Sequence, residues 1–353
     1  MPKAASTLAA CIAMALATPA QAEDWSLVIH GGAGTIQRDA MTPEKDAEIR
    51  AALDAALEAG SAVLREGGSS LDAVTAAINI LEDDPNFNAG RGAVFTWDET
   101  NSLDASIMRG DTLAAGAVAG ASTTRHPIDL ARKVMEESPH VLLSGEGADQ
   151  FAREQGLEQV DPSFFFTQER YDALVRFKAH AMQEQQTSQI DVDYKFGTVG
   201  AVAMDQSGVI TAGTSTGGMT GKRWGRIGDS PIIGAGTYAN ASCGVSATGT
   251  GEIFIRLAVA YRICAGSAWA ETPEPVASVR EEAIAALMGE VNNQTKTNAD
   301  LAINAVGELG GSGGVIFLSS DGAPGWSFDT PGMYRGSATS DGEKVVAIYG
   351  DEE

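Results

Sequence analysis

Gly197-Thr-Val-Gly-Ala-Val-Ala-Met-Asp205 is the stretch on which the reading of this chain turns. It reads as a buried strand that opens on a threonine. Directly before it stands Gln183-Glu-Gln-Gln-Thr-Ser-Gln-Ile-Asp-Val-Asp193, polar, Gln-rich and without an apolar face. Such a segment, about 183–196, is expected to be a protease-accessible linker. A threonine hydroxyl is a weak nucleophile unless a base stands beside it, and a free α-amino group on the same residue, with a pKa of roughly 8, is such a base. Cleavage of the Gly197-Thr198 bond would create it. Gly197 leaves that carbonyl unhindered and tolerates strain there. Taken alone, a threonine opening a strand behind a loop is an ordinary feature, so the neighbouring motifs must decide.

Those motifs are Thr214-Ser-Thr-Gly-Gly218, Gly225-Arg-Ile-Gly-Asp-Ser-Pro231 and Thr248-Gly-Thr-Gly-Glu252. The chain of 353 residues carries 24 Lys and Arg against 47 Asp and Glu, a formal charge of −23. Against that background Lys222, Arg223 and Arg226 make a local basic cluster beside a glycine-rich loop, and Arg grips carboxylates in a bidentate fork. Asp229, three residues on, suits an ammonium, so the pair fits the zwitterionic head of an amino acid. Thr248 and Gly249 precede the helix expected at Glu252, where a hydroxyl and free N–H groups can stabilise an oxyanion. A solvated basic turn, a surface ion pair and a plain helix cap would each explain one segment, but not their order.

The same acidity repels phosphate backbones and anionic membranes, which argues against nucleic acid and membrane as partners. Three Cys and four His, with no CxxC and no HExxH, spell neither a disulfide framework nor a structural zinc site. Gly310-Gly-Ser-Gly-Gly314 has the letters of a nucleophile elbow but feeds a strand, not a helix. Gly221-Lys222 lacks the rest of a phosphate loop, and Gly234-Ala-Gly-Thr-Tyr-Ala239 is followed by a strand-like run where a dinucleotide site needs a helix.

At the N-terminus, Lys3, an apolar run from Leu8 to Ala17 and Ala20-Gln-Ala22 form the pattern of a secretory signal peptide over residues 1–22. A lipoprotein box at Cys11 is the lesser reading. Export to a bacterial periplasm is expected, where Cys243 and Cys264 can pair only if the fold makes them neighbours. Trp25 to His30 reads as a buried strand entering a glycine turn at 31–34. Helices are expected from Thr42-Pro43 to Gly67, from a cap at Ser70, over 127–137, 147–155, 167–182, 252–264 and 273–288. Strands are expected at 93–96, 103–108, 113–119, 198–204, 209–212, 232–238, 241–247, 313–318, 326–328, 334–338 and 345–349. Strands flanked by helices in both halves imply an α+β chain with sheets inside and helices outside.

From Trp25 to Tyr349 the chain resembles the plant-type asparaginase and isoaspartyl (β-aspartyl) peptidase family of N-terminal-nucleophile hydrolases. The resemblance rests on seven blocks in the family's order: His30-Gly-Gly-Ala-Gly34, Pro85-Asn-Phe-Asn-Ala-Gly-Arg-Gly-Ala-Val94, Leu103-Asp-Ala-Ser106, Gly197 to Val202, Ser215-Thr-Gly-Gly-Met-Thr220, Gly225 to Pro231 and Thr248 to Glu252. It implies a four-layer αββα sandwich and a precursor that cuts itself at Gly197-Thr198 into an α chain (23–197) and a β chain (198–353). It further implies that Thr198 is the nucleophile, that Thr216 tunes its hydroxyl, and that Thr248 and Gly249 hold the oxyanion. Arg226 would bind the substrate α-carboxylate, Asp229 its α-amino group, and Asn88 and Gly251 would complete the substrate site. No catalytic cofactor is implied. A structural sodium ion is, on main-chain carbonyls of Leu81, Glu82, Asp84, Phe87, Ala89 and Arg91, as is a dimer of αβ units. Two departures from the family pattern stand out: the segment from Asp229 to Thr248 is slightly short, and Ala247 occupies a position where a polar residue or thiol is usual. The expected reaction is hydrolysis of L-asparagine and β-aspartyl dipeptides to L-aspartate. The alternatives are a glycosylasparaginase and a non-catalytic periplasmic protein that binds acidic amino acids.

Overall fold

The structure, a computed structural model, describes residues 24–184, 197–271 and 294–352. The expected signal peptide, most of the linker and the helix expected at 273–288 lie outside the described residues. Twelve strands are described: β1 (Ser26–Gly34), β2 (Leu103–Arg109), β3 (Ala115–Ala121), β4 (Leu142–Ser144), β5 (Val199–Met204), β6 (Ile210–Thr216), β7 (Thr237–Asn240), β8 (Cys243–Gly249), β9 (Gly313–Ser319), β10 (Pro324–Phe328), β11 (Gly332–Thr339) and β12 (Lys344–Ala347). They form an eight-stranded sheet, ordered β12-β11-β1-β5-β6-β2-β3-β4, and a four-stranded sheet, ordered β10-β9-β8-β7. The described helices are α1 (Pro43–Arg65), α2 (Ser70–Asp83), α3 (Pro127–Glu137), α4 (Gly145–Glu154), α5 (Gln168–Glu184), α6 (Gly251–Leu257), α7 (Val259–Glu271) and α8 (Gln294–Glu308), besides short 3-10 turns.

Period-two alternation sorts the strands between cores. Leu27, Ile29, Ala201 and Ala203 join the cluster that α1, α2 and α3 bury against one face of the large sheet. Val28, Val202, Met204 and Ala212 point the other way, where they meet Ile316 and Leu318 of the small sheet. From the small sheet's far face, Val245, Val315 and Phe317 pack with Ile263, Ala302 and Ile303 of α7 and α8. A disulfide joins Cys243 on β8 to Cys264 on α7, a pairing that the cysteine spacing left open.

Some local expectations need correction. The glycine run after His30 is not a turn: it continues β1 through a bulge between His30 and Gly32. Ser69, not Ser70, caps α2, its hydroxyl accepting from the Asp72 N–H at 3.1 Å. The run 93–96 makes only an isolated bridge, Phe95 to Asn101. The helix expected over 252–264 breaks in two at Ala258, which adopts a left-handed conformation (φ 49°). β8 pairs with β9 without interruption from Cys243–Ser319 to Gly249–Gly313, so the short segment before Thr248 does not disturb its register.

Candidate active site

Alternation carries a set of polar residues to the inner face of each sheet. On the large sheet, Asp104 of β2 pairs with Thr216 of β6, and Thr198 stands at the threshold of β5 beside them. Opposite, Val245 and Ala247 of β8 face the helices, so Thr248 faces the large sheet. Thr198 is 8% exposed and its Oγ1 lies 2.8 Å from Thr216 Oγ1. Thr216 Oγ1 also accepts the N–H of Gly218 at 2.9 Å, which leaves its own proton free for Thr198.

The bond ahead of Thr198 is held as well. The Asn88 N–H donates to the Gly197 carbonyl at 2.9 Å, placing a donor on the oxygen that would gain charge if that carbonyl were attacked. The Asn88 side chain is occupied: Nδ2 donates to the Gly218 carbonyl at 2.6 Å and Oδ1 accepts from the Val94 N–H at 2.9 Å. Asn88 therefore meets the Gly197 carbonyl through its main chain, while its amide braces the loop after Thr216.

Thr248 is buried and its Oγ1 has no hydrogen-bond partner. Gly249 has φ +154°, and a Cβ there would press on the Ser312 carbonyl, so only glycine turns the chain at this point. Arg226 extends from the loop between β6 and β7, with Nε and Nη2 held by Glu252 at 2.9 and 3.0 Å. That bond holds the Glu252 carboxyl below the usual range. Asp229 is fully enclosed, its Oδ2 lacks a partner, and burial pushes its pKa up to about 7. Gly251 lies against both: a Cβ on it would stand 2.8 Å from Arg226 Nη2 and 2.9 Å from Asp229 Oδ1. Buried polar atoms without partners are few in folded proteins. Here Thr248 Oγ1 and Asp229 Oδ2 are two of them.

The basic cluster divides. Lys222 is buried, donating to the Ser102 carbonyl at 2.8 Å with Asp104 Oδ2 at 3.7 Å, and burial pulls its pKa down. Arg223 instead stacks over the Trp97 ring at 3.3 Å. Of the three, Arg226 is the one that lies against Gly251 and Asp229's segment. Sequence reasoning had no sign of Lys222–Asp104; its one trace was a lone Asp at 104 in a strand of apolar and small residues. The expected cation loop follows α2. There the carbonyls of Glu82, Pro85 and Phe87 crowd the glycines at 90 and 92, and those of Asp84 and Ala89 each accept one N–H and keep a lone pair. This donor set of neutral oxygens suits a hard monovalent ion. The side chains of Leu81, Phe87 and Ala89 go to the core, and that of Arg91 to the face of Phe164.

A model of the asparaginase family matches residues 23–274. The chain belongs to that family. Isoaspartyl peptidase of Escherichia coli (strain K12) is 45% identical over 92% of this chain and 95% of its own length. Its Salmonella typhimurium counterpart is 44% identical over 92% and 98%. A plant-type L-asparaginase of Pyrococcus horikoshii is 46% identical over 67% of this chain and 77% of its own. In this asparaginase-family chain, the residues around Thr198 are therefore both spatially convergent and embedded in family sequence.

Proposed function

We propose that the chain is a self-cleaving amidohydrolase, an isoaspartyl peptidase and L-asparaginase, that uses Thr198 as its N-terminal nucleophile. The observation that carries this reading is the pairing of two contacts: the Thr198 hydroxyl directed to Thr216, and the preceding carbonyl already on the Asn88 N–H. In self-cleavage, Thr198 Oγ1 attacks the Gly197 carbonyl carbon, the C–N bond breaks, and the hydroxyl proton passes to the departing nitrogen. Water then hydrolyses the resulting ester. Gly197 keeps a carboxylate and Thr198 a free amine.

In turnover that amine takes the hydroxyl proton as Oγ1 attacks the side-chain carbonyl of asparagine or a β-aspartyl peptide. The Thr248 hydroxyl and the Gly249 N–H stabilise the tetrahedral oxyanion. The proton returns to the leaving nitrogen, ammonia or an amino acid departs, and water releases aspartate from Thr198 by the same steps. Arg226 holds the α-carboxylate, while ionised Asp229, beside Gly251, holds the α-ammonium. Such a two-point clamp lets the remote head group place the reacting carbonyl.

We place this chemistry on a four-layer αββα sandwich with α (23–197) and β (198–353) chains in one domain, a reading supported by the three stacked cores. Export and signal removal at Ala22 are supported by the buried disulfide, which suits an oxidising compartment. A structural sodium on the 81–91 carbonyls and a dimer of αβ units complete the proposal. Thermal melts in sodium against lithium test the first, and light scattering tests the second. The decisive variant is Thr198→Ala. It should stay one polypeptide by intact mass and lose more than about a thousandfold of asparagine and β-aspartyl dipeptide turnover. A variant that still splits at that bond, or still turns over, overturns the assignment.

A further inference from the structure

A cavity of about 290 Å³ lies on the α-chain side of the Gly197-Thr198 bond, and the chemistry above does not use it. Gly197 forms part of its wall, together with Lys45, Arg170 and Tyr334. Two contacts tie the cavity to the reacting bond. Tyr334 of β11 pairs with Gly32 of β1, where a Cβ would stand 2.5 Å from Gly197 Cα. Asn86 and Asn88 share one short segment: the Asn86 carbonyl accepts from Arg170 Nη2 at 3.1 Å, and the Asn88 N–H holds the Gly197 carbonyl at 2.9 Å.

The charge of this cavity runs against that of the chain. Arg170 Nε donates to the Gly92 carbonyl at 2.9 Å, so its guanidinium meets two neutral oxygens, and among the described residues it forms no ion pair. Its Nη1 is left to donate elsewhere. Lys45 reaches Asn86 Oδ1 and, at 3.4 Å, the exposed carboxylate of Glu48, a weak pair in water. Glu169 also lines the cavity, but it is exposed and among the described residues pairs with neither cation. Two cations against one carboxylate leave the wall positive in a chain of formal charge −23. The partly buried Ile36 and Met41 supply an apolar part. A cavity both positive and apolar fits an amino acid, whose carboxylate and side chain want different surroundings.

The path of the proton says which amino acid. In turnover the Thr198 amine returns its proton to the leaving nitrogen, which must therefore come within about 3 Å of it. Before self-cleavage, the group bonded to that amine nitrogen is the Gly197 carbonyl. A leaving group thus departs on the side where Gly197 stood, the side of the cavity. From asparagine it is ammonia, which gains no contact there. From a β-aspartyl dipeptide it is an amino acid, and its α-carboxylate lies only two bonds from the leaving nitrogen.

We propose that this cavity is the subsite for the leaving amino acid of β-aspartyl dipeptides, with Arg170 binding its α-carboxylate and Lys45 adding to the positive field. The proposal rests on Thr198 being the nucleophile of a β-aspartyl hydrolase, and it makes the chain a better peptidase than asparaginase.

The test compares β-aspartyl-leucine with β-aspartyl-leucinamide, in which that carboxylate is replaced by an amide. The mature wild-type enzyme should cleave the acid with a kcat/KM about tenfold to a hundredfold above that for the amide, the range of one charge-assisted contact. Leucinamide is the less basic amine and the better leaving group, so intrinsic reactivity works against this result. Arg170→Gln should bring the ratio to within about threefold, and Lys45→Gln should narrow it less. An Arg170 that only braces the 85–92 loop would slow both substrates alike in the variant and leave the ratio intact, which overturns the assignment. A wild type that cleaves acid and amide equally also overturns it, even if Arg170→Gln does not fold. That second result, joined to faster proteolysis of the α-chain end in Arg170→Gln, would give the cavity to the new Gly197 carboxylate instead. If Thr198→Ala is inactive while the wild-type ratio is near one, only the subsite falls; if Thr198→Ala is active, the nucleophile assignment falls and the subsite with it.

Discussion

Two carboxylates are buried on opposite faces of the large sheet, and they are treated very differently. Glu82, at the end of α2, accepts from Ser215 Oγ at 2.6 Å, from the Ile128 N–H at 3.1 Å and from His126 Nδ1 at 3.2 Å. Asp229, on the face toward the small sheet, keeps an oxygen with no partner. Burial raises the pKa of both. For His126, burial opposes the charge, but the bond to Glu82 and its field outweigh it, so that pKa also stands above the ordinary value. A saturated buried carboxylate joins elements together, here α2, α3 and β6. An unsaturated one retains an acceptor that a cation can use. Burial alone does not separate the two roles; the count of donors does.

Removing the saturated group should produce the larger effect. Glu82→Ala strands a hydroxyl, an N–H and an imidazole in an apolar surround, and breaking such a network costs about 3–5 kcal/mol. Denaturant melts of the mature protein should show that loss, together with reduced yield. A variant within about 1 kcal/mol of wild type would mean that the two carboxylates are not different in kind.

Asp229→Asn sharpens the contrast from the other side. The amide is easier to bury than a carboxylate, so stability should hold or rise slightly. The lost charge-assisted bond to the substrate ammonium should lower kcat/KM by about 2–3 kcal/mol, roughly thirtyfold to more than a hundredfold. Steady-state assays with asparagine and a β-aspartyl dipeptide check the first number, and melts check the second. If Asp229→Asn is destabilised as strongly as Glu82→Ala, the orphan oxygen is not a binding group.

What the sequence showed of this arrangement follows from the range of its signals. Thr198, Arg226, Asp229, Thr248 and Gly249 lie in short motifs whose residue types suggest a chemistry, and Thr216 in one matched by resemblance, so all six could be named as candidates without a fold. Most strands and helices were likewise visible, because alternation and caps such as Thr42-Pro43 are local. Long-range partners were not visible. Lys222 looked like part of a surface cluster because nothing near it in sequence announces Asp104, 118 residues away by position but 3.7 Å away in space. The same holds for Ser246 behind His30, separated by 216 positions. The glycines after His30 misled in the opposite direction. Their composition is that of a turn, but the pairing of residues 32–34 with β11 keeps the segment extended.

The smallest predicted effect is also the one that ties the two properties of Asp229 together. Its folded pKa, about 7, stands above the roughly 3.9 of an unfolded chain, so between those values the folded protein binds the extra proton. The stability this confers is complete below the unfolded pKa and is lost as pH rises through about 7. Ligand-free protein should therefore lose stability from pH 4 to 8 through this group, and Asp229→Asn should flatten that part of the curve. Substrate binding runs the opposite way, since an ammonium needs the ionised carboxylate. The kcat/KM of the wild type should climb over the same interval in which its ligand-free stability declines, and added aspartate should restore the melting temperature more at pH 8 than at pH 5. Parallel slopes for the two quantities, or a stability curve unchanged by the asparagine variant, would show that Asp229 is already ionised and paired before substrate arrives.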